Sequence, residues 1–140
     1  MSAADITALR ADPAALADFN RGLARLDVEA RIARTLDVLP HAFALSSSFG
    51  AQAAVSLHLL SRQVPDIPVL FVDTGYLFRE TYQFVDTLRE RLRLNLHVVQ
   101  APESPAWFEA RHGRLWEQGL DGIQRYNQIR KVAPMRTGLE

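Results

Sequence analysis

The chain has 140 residues, of which 48% are hydrophobic and 23% charged, a composition typical of one globular domain with a real core. Lys and Arg number 16, as do Asp and Glu, and this balance argues against a generally basic nucleic-acid-binding protein. No apolar run approaches the roughly 20 residues of a membrane-spanning helix. The N-terminus lacks the basic start and apolar stretch of a secretory signal, which predicts a cytoplasmic location. The absence of cysteine excludes disulfides, thiolate metal sites and cysteine nucleophiles within these residues.

The first part of the chain predicts a covering layer of helices. Apolar side chains recur at helical spacing over residues 13–26, which favours an amphipathic helix. Asp27 can cap a second helix that ends before Pro40. We therefore expect residues 1–40 to form a helical segment that packs on a core formed by residues 41–140.

The middle of the chain alternates between short apolar runs and helical patterns. The strands are expected at 41–46, 68–72 and 94–100, and the helices between them at 51–62 and 77–92. This β-α-β-α-β order predicts an α/β fold with a parallel sheet and flanking helices, to which the N-terminal helices are extra. Further on, Ser104 is expected to cap a short helix. A last helix is expected over residues 121–130, and no closing element is evident at residues 138–140.

Two loops at the ends of predicted strands favour a ligand site. In Ser46-Ser47-Ser48-Phe49-Gly50, hydroxyl groups, helix-start amides and the helix dipole can hold an anion, and Gly50 lets a ligand approach the backbone. The alternative is a plain helix cap at Ser48. In Asp73-Thr74-Gly75, the first two side chains can bind a base or ribose, and Gly75 leaves room; the alternative is a simple strand-to-helix turn. Both loops share the carboxyl edge of the predicted sheet, so they can face one ligand.

Two other groups of residues can contribute to binding. Arg130 and Lys131 suit a phosphate or sulfate group, unless they only form a solvated helix end. Trp107 and Trp116 can stack on a base or belong to the core. The four histidines show no metal-ligand spacing, and no G-x-x-x-x-G-K-[ST] or G-x-G-x-x-G loop occurs, so no metal site is expected.

Four segments, in order, resemble the phosphoadenylyl-sulfate (PAPS) reductase family, over roughly residues 40–137. They are Ser46 to Val55, Asp73 to Tyr82, Glu103 to Glu117 and Tyr126 to Met135. The resemblance implies an adenine nucleotide α-hydrolase-like, Rossmann-like fold. It implies reduction of PAPS to sulfite and adenosine 3′,5′-bisphosphate in sulfate assimilation and cysteine biosynthesis, with thioredoxin or glutaredoxin as electron donor. It also implies a homodimer.

The resemblance further implies a set of substrate-binding residues. By position, the phosphosulfate would be held by Ser46, Ser47, Ser48 and Gly50, the nucleoside would be lined by Asp73, Thr74 and Gly75, and positive charge near the sulfate would come from Arg130 and Lys131. A sister group that uses adenylyl-sulfate carries an iron–sulfur cluster on paired cysteines. Tyr126 and Asn127 occupy the matching positions here, so no cluster or other cofactor is expected.

The chain departs from the family at the catalytic residue. The family's nucleophile is a cysteine in a C-terminal Glu-Cys-Gly motif, and this chain has no cysteine. We therefore expect a C-terminally truncated chain without a catalytic residue, which binds part of the nucleotide and does not turn over. The alternatives are a non-catalytic adenine-nucleotide-binding module and a relative of adenylyl-sulfate reductase. An ATP-cleaving α-hydrolase is disfavoured, because Phe49 and Ala51 replace glycine- and lysine-type positions.

Overall fold

The computed structural model describes residues 6–39 and 43–140, which contain a three-stranded parallel sheet in the order β1-β2-β3. The strands are β1 (Leu45–Ser46), β2 (Pro68–Asp73) and β3 (Asn95–Gln100). Leu45 lies opposite Val69, and β2 pairs with β3 along its whole length. The α/β class and the parallel sheet expected from the sequence are confirmed. The first strand is shorter than expected, and residues 41–42 of that prediction lie outside the described part of the chain.

Two helices connect the strands and cover one face of the sheet. They are α4 (Ala53–Gln63), between β1 and β2, and α5 (Arg79–Leu92), between β2 and β3. Val69 and Phe71 of β2 belong to the same buried cluster as Leu57 of α4 and Val85 of α5. Because side chains alternate along a strand, the intervening Val72 faces the opposite side of the sheet.

A continuous helical run approaches the sheet from that opposite side. It comprises α7 (Gly119–Asn127), a π-helical segment (Gln128–Val132) and α8 (Ala133–Gly138). The helix predicted over residues 121–130 was therefore too short, and α8 was not predicted from the sequence. Pro134 lies in the first turn of α8, a position where proline does not interrupt a helix. An added Cβ at Gly138 would lie 2.5 Å from Val99 Cγ1, so glycine permits the close approach of α8 to β3.

Between β3 and α7 the chain forms α6 (Pro105–His112) and a 3₁₀ turn (Leu115–Glu117). Ser104 caps α6, as expected, because its hydroxyl oxygen accepts a hydrogen bond from the Trp107 amide at 3.2 Å.

Three helices precede the sheet, namely α1 (Ile6–Ala11), α2 (Pro13–Ala24) and α3 (Val28–Leu36). The expected cap at Asp27 is present, whereas α1 was not predicted. The helices contact the rest of the fold, since the Gln63 side chain of α4 donates a hydrogen bond to the Glu29 carbonyl of α3 at 2.8 Å. The proposed division at residue 40 remains a prediction, because residues 1–5 and 40–42 lie outside the described residues. Within the described ranges, no helix is long and apolar enough to cross a membrane.

Candidate functional site

A cleft of about 310 Å³ lies at the carboxyl edge of the sheet, where the loops after β1 and β2 meet the π-helical segment. Its lining residues are Ser46, Ser47, Ser48, Phe71, Val72, Thr74, Leu77, Lys131 and Met135. The structure thus brings together five of the nine residues expected at a site, from three separate parts of the sequence. The other four, Gly50, Asp73, Gly75 and Arg130, do not line this cleft.

The serine loop, residues 46–50, is stabilised by its own Phe49. This residue adopts a left-handed conformation, with φ of 53°, and its ring is buried against the Phe71 ring at 5.2 Å. The Ser47 amide donates to the Leu70 carbonyl at 3.0 Å, and the Ser47 hydroxyl oxygen accepts from the Phe49 amide at 3.1 Å. A left-handed phenylalanine is unfavourable by itself, so its core contacts must maintain this backbone conformation.

The loop presents donors that the protein itself does not use. Within residues 6–39 and 43–140, the amides of Ser48, Gly50 and Ala51 have no hydrogen-bond acceptor. The cap position of α4 is Gln52, so the alternative that Ser48 caps the helix is wrong. Among the described residues, an added Cβ at Gly50 would meet only the Ser48 hydroxyl, at 4.0 Å, so no contact with them requires glycine there. Free amides and hydroxyls before a helix form a suitable surface for an anion.

Thr74 is the buried polar residue in the floor of the cleft. Its side chain is nearly inaccessible to solvent, and its hydroxyl oxygen accepts a weak hydrogen bond from the Tyr76 amide at 3.3 Å. The hydroxyl hydrogen has no acceptor in the described part of the chain, so it is available to a bound molecule.

Asp73 stabilises the turn after β2 instead of lining the cleft. Its Oδ1 atom accepts hydrogen bonds from the Gly75 amide at 2.8 Å and from the Tyr82 hydroxyl at 2.7 Å. Burial, followed by the hydrogen bond and negative charge of Asp73, raises the pKa of Tyr82 to about 12. The carboxylate therefore ties this loop to α5.

Gly75 leaves room for the protein's own atoms and not for a molecule in the cleft. Its φ is +76°, and an added Cβ would lie 2.7 Å from Pro105 Cγ and 2.9 Å from Arg130 Nη2. Glycine is needed here for both its conformation and its missing side chain.

Consecutive basic residues of the π-helical segment point in different directions. Arg130 is 2% exposed and donates to the carbonyl groups of Thr74 and Glu103, so the expected position beside an anion in the cleft is not observed for it. Lys131 is exposed and lines the cleft, with its Nζ atom 5.8 Å from the Tyr126 ring centroid. π-Helical turns often occur at functional sites. Of these two basic residues, Lys131 is thus the one that lines the cleft.

The sequence reasoning missed the apolar part of the lining. Met135 follows Lys131 by one helical turn, and this spacing could have placed both on one face. Leu77 and Val72 flank the Asp73–Gly75 turn, and their positions next to a predicted site loop were the available signal. An apolar surface beside polar groups is the usual composition of a ligand pocket.

The aromatic residues divide between the core and the surface. Phe108 is fully buried, whereas Trp107 is 57% exposed and lies under the Arg111 guanidinium, 4.7 Å from the ring centroid. Trp116 contacts the rings of Tyr76 and Tyr126 at 5.0 and 5.8 Å. Neither tryptophan lines the cleft. No cluster of three or more metal-ligating side chains occurs among the described residues.

Comparison with known proteins identifies the family. A model of the phosphoadenosine phosphosulfate reductase domain matches residues 42–140. A phosphoadenosine 5′-phosphosulfate reductase of Klebsiella pneumoniae subsp. pneumoniae is 56% identical over 145 residues, which cover 100% of this chain and 59% of that protein. The protein of the same name from Yersinia enterocolitica is 60% identical over 127 residues, covering 91% of this chain and 52% of its own length.

A crystal structure of PAPS reductase from Candida auris, in complex with phosphate, has a similar fold. The TM-score is 0.77 at 23% identity, and the match covers 91% of this chain and 62% of that one. This chain spans between 52% and 59% of the length of the two bacterial relatives. Because the domain model matches well over half of its residues, the chain belongs to the phosphoadenosine phosphosulfate reductase domain family.

Proposed function

We propose that this chain forms the nucleotide-binding part of a PAPS reductase and binds the phosphosulfate end of PAPS in the cleft. The observation that carries the proposal is the convergence of Ser46–Ser48, Thr74 and Lys131 on one cleft. Serine hydroxyls and free amides can donate to the anionic groups, and Lys131 supplies a point charge. Family membership and the names of the relatives support PAPS over adenylyl-sulfate as the substrate.

The remaining predicted residues have more specific roles in this proposal. Gly50 admits the ligand to the serine loop, since the described part of the chain places only one distant atom in the space beside it. Asp73 and Gly75 act on the nucleoside indirectly, through the shape of the turn that carries Thr74. Arg130 likewise contributes from behind the cleft.

Calorimetric titration with adenosine 3′,5′-bisphosphate, alongside adenosine 5′-monophosphate, tests the proposal. We expect binding that prefers the bisphosphate and weakens about tenfold in Ser47→Ala and Thr74→Ala, since each removes a hydrogen bond to a charged group. Ser56→Ala and Thr87→Ala make the same changes at exposed helical positions and should bind normally. Equal binding by all variants, or no binding by a folded chain, would show that the cleft is not the nucleotide site.

The activity proposed for the whole protein is the reduction of PAPS to sulfite and adenosine 3′,5′-bisphosphate. A cysteine thiolate would attack the sulfur and release the bisphosphate, and a thiol of thioredoxin or glutaredoxin would then displace sulfite and leave a disulfide. No residue of this chain can act as that thiolate, because the chain contains no cysteine, and a serine needs an activating base. The 140 residues are therefore proposed to bind substrate without catalysing the reaction.

We also propose that the enzyme needs no iron–sulfur cluster. Tyr126, at a position matching a cluster cysteine of the adenylyl-sulfate enzymes, packs among the rings of Tyr76, Phe108 and Trp116.

The last part of the proposal is that the protein is a cytoplasmic homodimer. It is supported by the balanced charge and by the family resemblance, and light scattering of the purified protein tests the dimer.

A further inference from the structure

Arg130 connects two loops at the carboxyl edge of the sheet from inside the protein. Its Nε atom donates to the Thr74 carbonyl at 3.0 Å, Nη2 donates to the same carbonyl, and Nη1 donates to the Glu103 carbonyl at 2.7 Å. Thr74 follows β2 and Glu103 lies beyond β3, so one guanidinium bridges the ends of two neighbouring strands.

The surroundings of this guanidinium are unusual for a buried charge. The rings of Tyr76 and Phe108 lie 5.5 and 5.4 Å from its Cζ atom, and its acceptors in the described part of the chain are backbone carbonyls only. Burial of a cation without a carboxylate is costly unless its donors are satisfied and aromatic faces offset the charge. The bridge requires a planar fork with several fixed donors, which arginine has and lysine lacks.

The bridge reaches the cleft through Thr74. The carbonyl of Thr74 faces the guanidinium, while Thr74 also lines the cleft, and its hydroxyl hydrogen has no acceptor among the described residues. A peptide unit held by two donors of a rigid group has little freedom to rotate. The orientation of the Thr74 hydroxyl therefore depends on the position of Arg130.

We propose that Arg130 is a positioning residue, which sets the Thr74 hydroxyl for hydrogen bonding to the bound nucleotide without touching the nucleotide itself. The inference rests on the proposed function, because it concerns the same cleft. It differs from a direct role in binding the anion, since every hydrogen bond that Arg130 donates within the described residues goes to a backbone carbonyl.

A double-mutant cycle on the 140-residue chain tests this role, with adenosine 3′,5′-bisphosphate as the probe in calorimetry. Arg130→Lys keeps the charge but loses the fork, and we expect binding to weaken about tenfold in the otherwise unmodified chain. In a Thr74→Val background the same substitution should change binding by less than about twofold, because the group that Arg130 positions is already absent. A purely structural role would weaken binding equally in both backgrounds.

Two further variants keep the test decisive. Gly75→Ala leaves Arg130 in the chain but places a Cβ 2.9 Å from Nη2 and 2.7 Å from Pro105 Cγ, so it should weaken binding to at least the same extent. It replaces the cycle if Arg130→Lys does not fold or if Thr74→Val abolishes binding. Arg89→Lys makes the matched change on the exposed face of α5 and should bind normally.

The outcomes separate the two proposals. If the unmodified, folded chain fails to bind the bisphosphate, the proposed function fails, and the positioning role with it. If it binds and the effects of Arg130→Lys and Thr74→Val are additive, or if Gly75→Ala binds normally, only the positioning role is overturned.

Discussion

Asp73 shows how a polar residue at a strand end can serve the site without entering it. Both hydrogen bonds to its Oδ1 atom are local, one from the Gly75 amide and one from Tyr82 on the following helix. The turn that carries Thr74 is therefore attached to α5 by a single carboxylate oxygen. The Tyr82 side of this attachment can be tested without changing any residue that lines the cleft.

Replacing Tyr82 with phenylalanine should change the alkaline stability of the protein. In the folded state Tyr82 keeps its proton up to its raised pKa of about 12, whereas an unfolded tyrosine loses its proton near its usual pKa of about 10. Between these pH values the unfolded state binds fewer protons, so the contribution of Tyr82 to stability is full below pH 10 and falls as the pH rises. We expect Tyr82→Phe to unfold about 1 kcal/mol more easily at pH 8, with the difference shrinking between pH 10 and 12.

Thermal unfolding followed by circular dichroism at a series of pH values measures this effect. The matched control is Tyr126→Phe, which removes a hydroxyl group that has no hydrogen-bond partner within the described residues. A constant stability difference between Tyr82→Phe and the unmodified chain from pH 8 to 12 would contradict the assignment.

At the level of the elements, the helical run from α7 to α8 carries the cationic side of the cleft. Its position depends on the contact between α7 and the preceding 3₁₀ turn. An added Cβ at Gly122 would lie 2.1 Å from the Leu115 carbonyl oxygen and 2.8 Å from Gln118 Cβ. Glycine at this position allows the backbones of the two elements to touch, and any larger residue must push them apart.

Gly122→Ala should destabilise the protein by about 1–3 kcal/mol, since the new methyl group meets a backbone oxygen that cannot move independently. It should also weaken binding of adenosine 3′,5′-bisphosphate, because α7 leads directly into the segment that holds Lys131. Denaturant unfolding and calorimetry measure the two effects.

Gly22→Ala is the contrasting substitution for the same measurements. Gly22 lies in α2, and outside its own helix backbone no atom of the described residues lies within 4 Å of an added Cβ. Alanine should therefore leave stability unchanged or raise it by up to about 1 kcal/mol. Equal destabilisation at both glycines would show that the contact at Gly122 does not control the result, because alanine by itself favours a helix more than glycine does.

At the level of the whole molecule, we expect nucleotide binding and catalysis to be separable, because the chain has the cleft but no thiol nucleophile. The chain brings serine, threonine and lysine side chains to one cleft but contains no cysteine. We expect no sulfite release from PAPS and reduced thioredoxin in the presence of this chain. The PAPS reductase of Klebsiella pneumoniae subsp. pneumoniae serves as the positive control. Sulfite formed above the protein-free background would show that the reaction does not require a cysteine thiolate, which contradicts this prediction.

Much of the fold could be predicted because it depends on local patterns. The buried run of β2, the periodicity of α5 and the caps at Asp27 and Ser104 are properties of short segments, and each was found close to its expected place. The end of the chain was harder to predict. Gly122, Pro134 and Gly138 suggest interruption when read locally, yet the run remains helical. The two glycines fit close contacts with neighbouring elements, and Pro134 lies in the first turn of α8.

The site, like the fold, has a part that local sequence patterns predict and a part that depends on packing. The sequence alone indicated which loops carry hydroxyl groups and that they share the carboxyl edge of a parallel sheet, because strand direction and chain order determine which ends meet. Only the tertiary structure assigned Lys131 to the cleft and Arg130 to the interior, since their separation depends on how the π-helical segment packs against the loops after β2 and β3. Composition and spacing cannot show which of two neighbouring basic residues lines the cleft and which is buried. That depends on burial and on the available hydrogen-bond acceptors, and both are properties of the packed chain.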